Sequence, residues 1–360
     1  MSPQGGMNEM LLAAVNVTKE RLDSLHQGIH RTEVDLWAWT QHELTVITTE
    51  SVYGPGNPYK DPKVEVGFWD FADDTIKLLL TNILPNIVAS KALAGREVVV
   101  QAMDSYFSCG AYKEGSSLVK ARHAALKDGE IPDLDLARCE CVNGIAILAN
   151  TVPTAFWTIF HIFSDPLVLT EVRRQVGLIT TYQVLTEGGG PAYKINLSRL
   201  NDAPIIFSAL QEALRLRATG TGPRMVLADT FIGPHQYLLK KGSVVMIVNK
   251  ALHSDKGAWG EKADTYHPDR FYGKFPAQSF RGFGGGVNLC PGRGFAMVEV
   301  AALVAMLAMR FDLVPAGETW SEPDQDLTNL SLQVAPPKQK VTVNIVPRHD
   351  FEEASWYFEL

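Results

Sequence analysis

The sequence predicts a mainly α protein with a small β portion, and three observations carry that expectation. Apolar residues recur at helical spacing through most of the first 217 positions, short β-branched runs appear only afterwards, and a long stretch without periodicity lies among those runs. With 360 residues, 46% hydrophobic and 20% charged, the chain can bury a core large enough for one big unit or two smaller ones. A formal net charge of −7 disfavours a polyanion, so nucleic acid and an anionic membrane surface are not the expected partners. Enzymes and apolar ligands remain.

Helical periodicity marks 8–27, 33–51, 66–82 and 85–107, interrupted by the Pro- and Gly-rich loop YGPGNPYKDPK at 53–63. The opening residues lack the basic region, long apolar run and small-residue cleavage site of a signal peptide. The polar stretch Ala111 to Asp135 reads as a linker. Next comes an apolar helix over 137–163, whose part from Cys141 to Phe163 carries no Asp, Glu, Lys or Arg. It is long enough to cross a bilayer, but Asn143, Asn150, Pro153 and His161 interrupt it and its flanks have no basic bias, which favours a core helix with a kink at Pro153. Ser164 is the expected cap of a following helix with Pro166 in its first turn. A further helix spans 203–217 and stops at ATGTGP.

After this point RMVLAD, YLLKKGSVVMIVN and QKVTVNIVP read as strands bounded by Gly and Pro. The aperiodic segment 251–289 is a meander, and loops of that length inside a domain are usually functional. A last apolar helix covers 291–311. Four cysteines, Cys109, Cys139, Cys141 and Cys290, make no disulfide framework, and the C-x-C pair has no nearby His for zinc, so a reducing compartment is expected.

The chemistry concentrates in FGGGVNLCPGRGFA, Phe283 to Ala296. A phosphate cradle would need a Gly-Lys-Ser/Thr or dinucleotide spacing, which is missing. A thiol nucleophile needs a base that can be remote in sequence, and a buried cysteine in a glycine turn needs nothing further. A metal ligand accounts for more of the residues. Pro291 suits a first helical turn, which sets Cys290 at the helix N-terminus, where the dipole and free N–H groups stabilise a thiolate. Gly284, Gly285, Gly286 and Gly292 leave room for a flat macrocycle, and Phe283 is placed to shield the sulfur.

This stretch resembles the heme-binding signature of the cytochrome P-450 superfamily, F-x-x-G-x-x-x-C-x-G-x-x-x-A, matched by Phe283, Gly286, Cys290, Gly292 and Ala296. EALR resembles the family's E-x-x-R, giving Glu212 and Arg215, and YHPDRF its later F-x-P-x-R-F element, giving Pro268, Arg270 and Phe271. The resemblance implies heme b with Cys290 as axial iron ligand, a buried network of Glu212, Arg215 and Arg270, and a propionate contact from Arg224. It places the helix at 137–163 over the distal face of the heme. There Ala149 stands for the usual acid and Asn150 for the usual Thr, as in the branch of sterol 7α-hydroxylases and prostacyclin synthase. Asn150 and Thr151 are then expected to order water and dioxygen, with Ile147, Phe156 and Trp157 facing substrate. Asn288 stands where many members carry a basic propionate ligand, and no W-x-x-x-R element occurs.

The implied fold is that of a cytochrome P-450 lacking its N-terminal region, with a texture similar to filamentous-fungal members of secondary metabolism. The implied function is monooxygenation of an apolar, sterol-, terpenoid- or other secondary-metabolite-like molecule with electrons from NADPH through cytochrome P-450 reductase. The complete protein is expected at the cytoplasmic face of the endoplasmic reticulum, held by an N-terminal anchor outside this chain. Two alternatives stand beside it: an isomerase or dehydratase of the same fold that needs no reductase, and a shortened, non-catalytic protein.

Overall fold

Helical periodicity in the first hundred residues becomes helices in the computed structural model, which describes residues 6–28, 32–80, 84–184, 191–233, 236–329, 331–349 and 354–359. Helix α1 (Met7–Gly28) buries Met10, Ala14 and Leu22 along one stripe. The predicted helix at 33–51 is instead strand β1 (Thr32–Asp35) followed by α2 (Leu36–Tyr53). Asp35 divides them because its carboxylate accepts the Trp37 N–H at 3.1 Å and caps the helix. After two short 3₁₀ turns in the predicted loop come α3 (Pro62–Leu80), the single turn α4 (Pro85–Val88) and α5 (Ser90–Ser108). Positions 81–82 of the predicted helix lie outside the described residues. Helices α3 and α5 touch at glycines: a Cβ on Gly95 would stand 2.3 Å from the Gly67 carbonyl oxygen.

The stretch expected to be a linker contains α6 (Ser117–Asp128), with Ser116 as its cap, so that expectation is corrected. Its apolar face is thin: Val119 is its buried residue, which is why periodicity did not show it. The apolar helix is two helices, α7 (Asp133–Leu148) and α8 (Thr151–Phe163), broken at Ala149–Asn150. The break precedes Pro153 by one turn because a proline has no N–H for, and clashes with, the carbonyl four residues back, here that of Ala149. All of α8 from Val152 to Phe163 is buried. The stretch Asp133–Phe163 is the one helical segment, among the described residues, long and apolar enough to span a membrane, and 72% of its apolar window is buried in protein. Helix α9 (Pro166–Leu178) is capped by Asp165, whose Oδ1 accepts from Leu167 and Val168, and not by Ser164.

Strands β2 (Thr180–Val184) and β3 (Pro191–Asn196) precede α10 (Pro204–Arg217). Of the predicted run RMVLAD only Arg224 and Met225 are strand, as the end of β4 (Thr221–Met225); β5 (Thr230–Ile232) lies outside the predicted runs, and YLLKKGSVVMIVN gives two strands, β6 (Tyr237–Leu239) and β7 (Val244–Val248), so that β4 pairs with β7 and β5 with β6, both antiparallel. Short helices α11 (Asn249–His253) and α12 (Lys256–Trp259) open the meander, and α13 (Arg293–Arg310) follows it. The chain closes with β8 (Phe311–Pro315), β9 (Thr342–Pro347) and β10 (Ser355–Glu359). Strand β9 joins β1 to β8, and β10 runs parallel to β3 in a sheet with β2. Helices α1, α2, α8 and α13 pack in a ring, each against the next, and this bundle supports the segment that carries Cys290.

Candidate active site

A cavity of about 530 Å³ opens above the N-terminal end of α13. Phe283, Gly284, Gly285, Gly286, Cys290, Gly292 and Ala296 line it together with Arg224, Ile147, Asn150 and Thr151, so eleven of the residues singled out from sequence share one space. Phe156 and Trp157 do not. Both are fully buried in the core: Trp157 Nε1 donates to the Ala335 carbonyl at 2.9 Å, and Phe156 meets the Trp37 ring edge-on at 5.7 Å. Their expected substrate contact is corrected to packing. Burial on every side of α8 explains why one helix face could not be told from another in the sequence.

Cys290 is half-buried and precedes the helix by more than expected: Gly292 is the cap and Pro291 lies outside it. The Cys290 N–H donates to the Phe283 carbonyl at 2.9 Å, closing the loop upon itself, and Arg293 donates to the Cys290 carbonyl at 3.1 Å. Gly286 adopts φ of +64°, a left-handed conformation that favours glycine. A Cβ there would meet nothing within 4 Å, and a Cβ on Gly292 would meet only the Cys290 sulfur, at 3.9 Å. The glycines thus keep open the space beside the thiol.

The meander holds that loop in place through a charged network. Glu212 and Arg215 are both fully buried, and Arg270 Nε reaches Glu212 Oε1 at 2.9 Å. Arg215 donates to the carbonyls of His253 at 2.5 Å and Ala263 at 2.7 Å, while Arg270 donates to those of Trp259 and Lys262. Trp259, Ala263 and Phe271 form a small separate core beneath, with Phe280 against it. Burial pushes the His253 imidazole down to about 4, so the ring is neutral, and its Nε2 accepts the Arg281 N–H at 2.8 Å. One chain of contacts therefore runs from Glu212 to the residue two before Phe283.

On the helix break, Asn150 Oδ1 accepts the Gln333 N–H at 3.0 Å, and the Thr151 hydroxyl donates to the Ile147 carbonyl at 3.2 Å. Apolar lining comes from Ala146, Leu210, Leu214 and Val334. Among the described lining residues there are two arginines, Arg224 and Arg281, and no Asp or Glu. Arg224 is exposed and donates to the Pro223 carbonyl at 2.8 Å; Arg281 Nε is buried with no hydrogen-bond partner. A thiol donor, a glycine-cleared wall and unneutralised cations fit a flat, dianionic iron macrocycle. Gln333 and Arg281 were not singled out from sequence. Arg281 stood beside the motif as an uncompensated basic residue and could have been; Gln333 is brought in by a distant segment and could not.

The family model described as Cytochrome P450 matches residues 116–343. The cytochrome P-450 monooxygenase nodJ of Hypoxylon pulicicidum is 33% identical over 99% of this chain and 71% of its own length. A cytochrome P-450 monooxygenase of Gibberella zeae is 26% identical over 89% of this chain and 64% of its own length. The solved structure of retinoic acid-bound cyanobacterial CYP120A1 superposes with a TM-score of 0.74 at 19% identity, covering 96% of this chain and 76% of that one.

Proposed function

The chain belongs to the cytochrome P-450 family, and on that premise we propose that it oxygenates an apolar small molecule at a heme held by Cys290, with electrons from NADPH through a reductase. Enzymes of this family are heme-thiolate proteins with an axial cysteine, and the two relatives described above are named monooxygenases. Bound heme supplies the reductive activation of dioxygen, which the thiolate favours by donating electron density. One oxygen atom enters the substrate and the other leaves as water, NADPH supplying the two electrons.

The observation that carries the reading is the shared cavity: Cys290 in the glycine loop and Asn150 at the helix break line the same space. In this proposal Phe283, Gly286 and Gly292 shape the wall on which heme lies, and Arg224 binds a propionate. Glu212, Arg215 and Arg270 hold the loop rigid, so that the thiolate keeps its position. Asn150 has its carbonyl committed to Gln333, which leaves the amide NH₂ as the donor able to orient water and dioxygen. Ile147, with Leu210, Leu214 and Val334, supplies an apolar wall for substrate. A sterol-, terpenoid- or other secondary-metabolite-like molecule suits that wall, and the fungal relatives support such a setting. The proposal places the protein at the cytoplasmic face of the endoplasmic reticulum, which fractionation of the tagged protein tests.

The carbon monoxide difference spectrum of the reduced chain tests the reading. A red-shifted Soret band marks thiolate-bound heme, and its absence overturns the assignment. One observation favours a second reading, an isomerase or dehydratase that rearranges a peroxide: Ala149 carries no acid, and no carboxylate is among the described lining residues. Substrate-stimulated NADPH use identifies the monooxygenase; conversion of a peroxide without NADPH identifies the isomerase.

A further inference from the structure

The geometry points to Arg281 as a heme-propionate ligand of this chain, filling the role left open by Asn288, and this rests on the heme reading above. Four observations converge on it. Arg281 lines the cavity, and its Nε is buried without any hydrogen-bond partner. A buried guanidinium N–H left unpaired is costly, so an acceptor is expected there. The loop is shaped to the guanidinium: a Cβ on Gly285 would lie 1.6 Å from Arg281 Nη1, so any side chain at 285 would displace it.

The charge balance of the cavity gives the third observation. Arg224 and Arg281 are the charged residues among its described lining residues, and no acidic side chain there offsets them. A ligand with two carboxylates neutralises both, and heme b carries two. The fourth is positional. The backbone N–H of Arg281 is fixed on His253 Nε2 at 2.8 Å, and the His253 carbonyl is fixed on Arg215. Arg281 is thereby the end of the buried Glu212 network, so propionate binding and loop rigidity share one scaffold. Asn288 is exposed and outside the lining, and its amide carries no charge to offer a carboxylate.

Heme dimethyl ester, with both propionates esterified, provides the test without any catalytic readout. The 360-residue chain stripped of heme is titrated with heme and with the diester, and heme loss to excess apomyoglobin is timed. The wild type should hold heme more tightly than the diester. Arg281→Leu should lose heme roughly 10- to 100-fold faster, as expected for removing a charged hydrogen bond, and should discriminate less between the two ligands. Arg281→Lys, which keeps the charge, should restore most of the discrimination. Discrimination unchanged in Arg281→Leu overturns the assignment while leaving the heme reading intact. So does a wild type that holds heme and diester equally tightly, a result that needs no variant to fold. A wild type that takes up neither ligand overturns the heme reading and this inference together.

Discussion

Arg215 and Glu212 form a bidentate ion pair with no solvent exposure on either side chain, Nε to Oε2 at 2.7 Å and Nη2 to Oε1 at 2.8 Å. In isolation, an i,i+3 pair on a helix surface contributes only a few tenths of a kcal/mol, about 0.2–0.5. Here the pair is desolvated, and its remaining donors and acceptors are spent on the meander: Glu212 Oε1 also takes the His267 N–H at 3.0 Å and Arg270 Nε. The pair ties a helix to the meander rather than one helical turn to the next.

Glu212→Ala therefore leaves Arg215 buried without its counter-charge. We expect a loss of about 3–5 kcal/mol, measured by urea unfolding, together with loss of heme from the purified protein. Normal stability and heme content in this variant would refute the structural role.

Cys290→Ala removes the thiol that lines the cavity. The red-shifted Soret band of the reduced carbon monoxide complex should disappear, while far-ultraviolet circular dichroism stays near that of the wild type. Persistence of the band would reassign the iron ligand.

Asn150→Leu should retain heme and substrate binding but lose the donor that steers protons to dioxygen, because Thr151 is committed to its own helix turn. Most of the NADPH consumed should then appear as hydrogen peroxide. Product formed in the wild-type proportion would remove Asn150 from that role.

Glu299 on α13 is fully buried; its carboxyl is pushed up to about 8 by burial, against which a hydrogen bond from Thr48 acts in the opposite direction. A carboxyl with a raised folded-state pKa binds its proton more tightly in the folded protein. Its contribution is complete below about pH 4.3, the ordinary value, and is lost as pH rises towards 8, with a slope of up to about 1.4 kcal/mol per pH unit. Glu299→Gln, which cannot ionise, should flatten this part of the stability profile and gain on the wild type at pH 8. Parallel profiles for the two proteins would show that Glu299 is not protonated in the fold.

Local chemistry is written in contiguous residues, and the sequence by itself determined what depends on it. The spacing of Phe283, Gly286, Cys290 and Gly292 specifies a glycine-walled thiol loop, the apolar run of α8 specifies a core helix, and Glu212 and Arg215 lie one turn apart on any helix. Tertiary structure decided what depends on separate segments meeting. It buried the Glu212 pair by laying the meander over α10, and it turned Phe156 and Trp157 into the core by covering every face of α8. It also engaged Asn150 with Gln333 across 183 residues and paired β1 and β10 with strands far along the chain. Such short strands gain stability only from partners, so their own four or five residues carry little signal. The position of Arg281 shows the division within one side chain. Its charge is visible in the sequence, but its unpartnered nitrogen appears only when the loop closes around it.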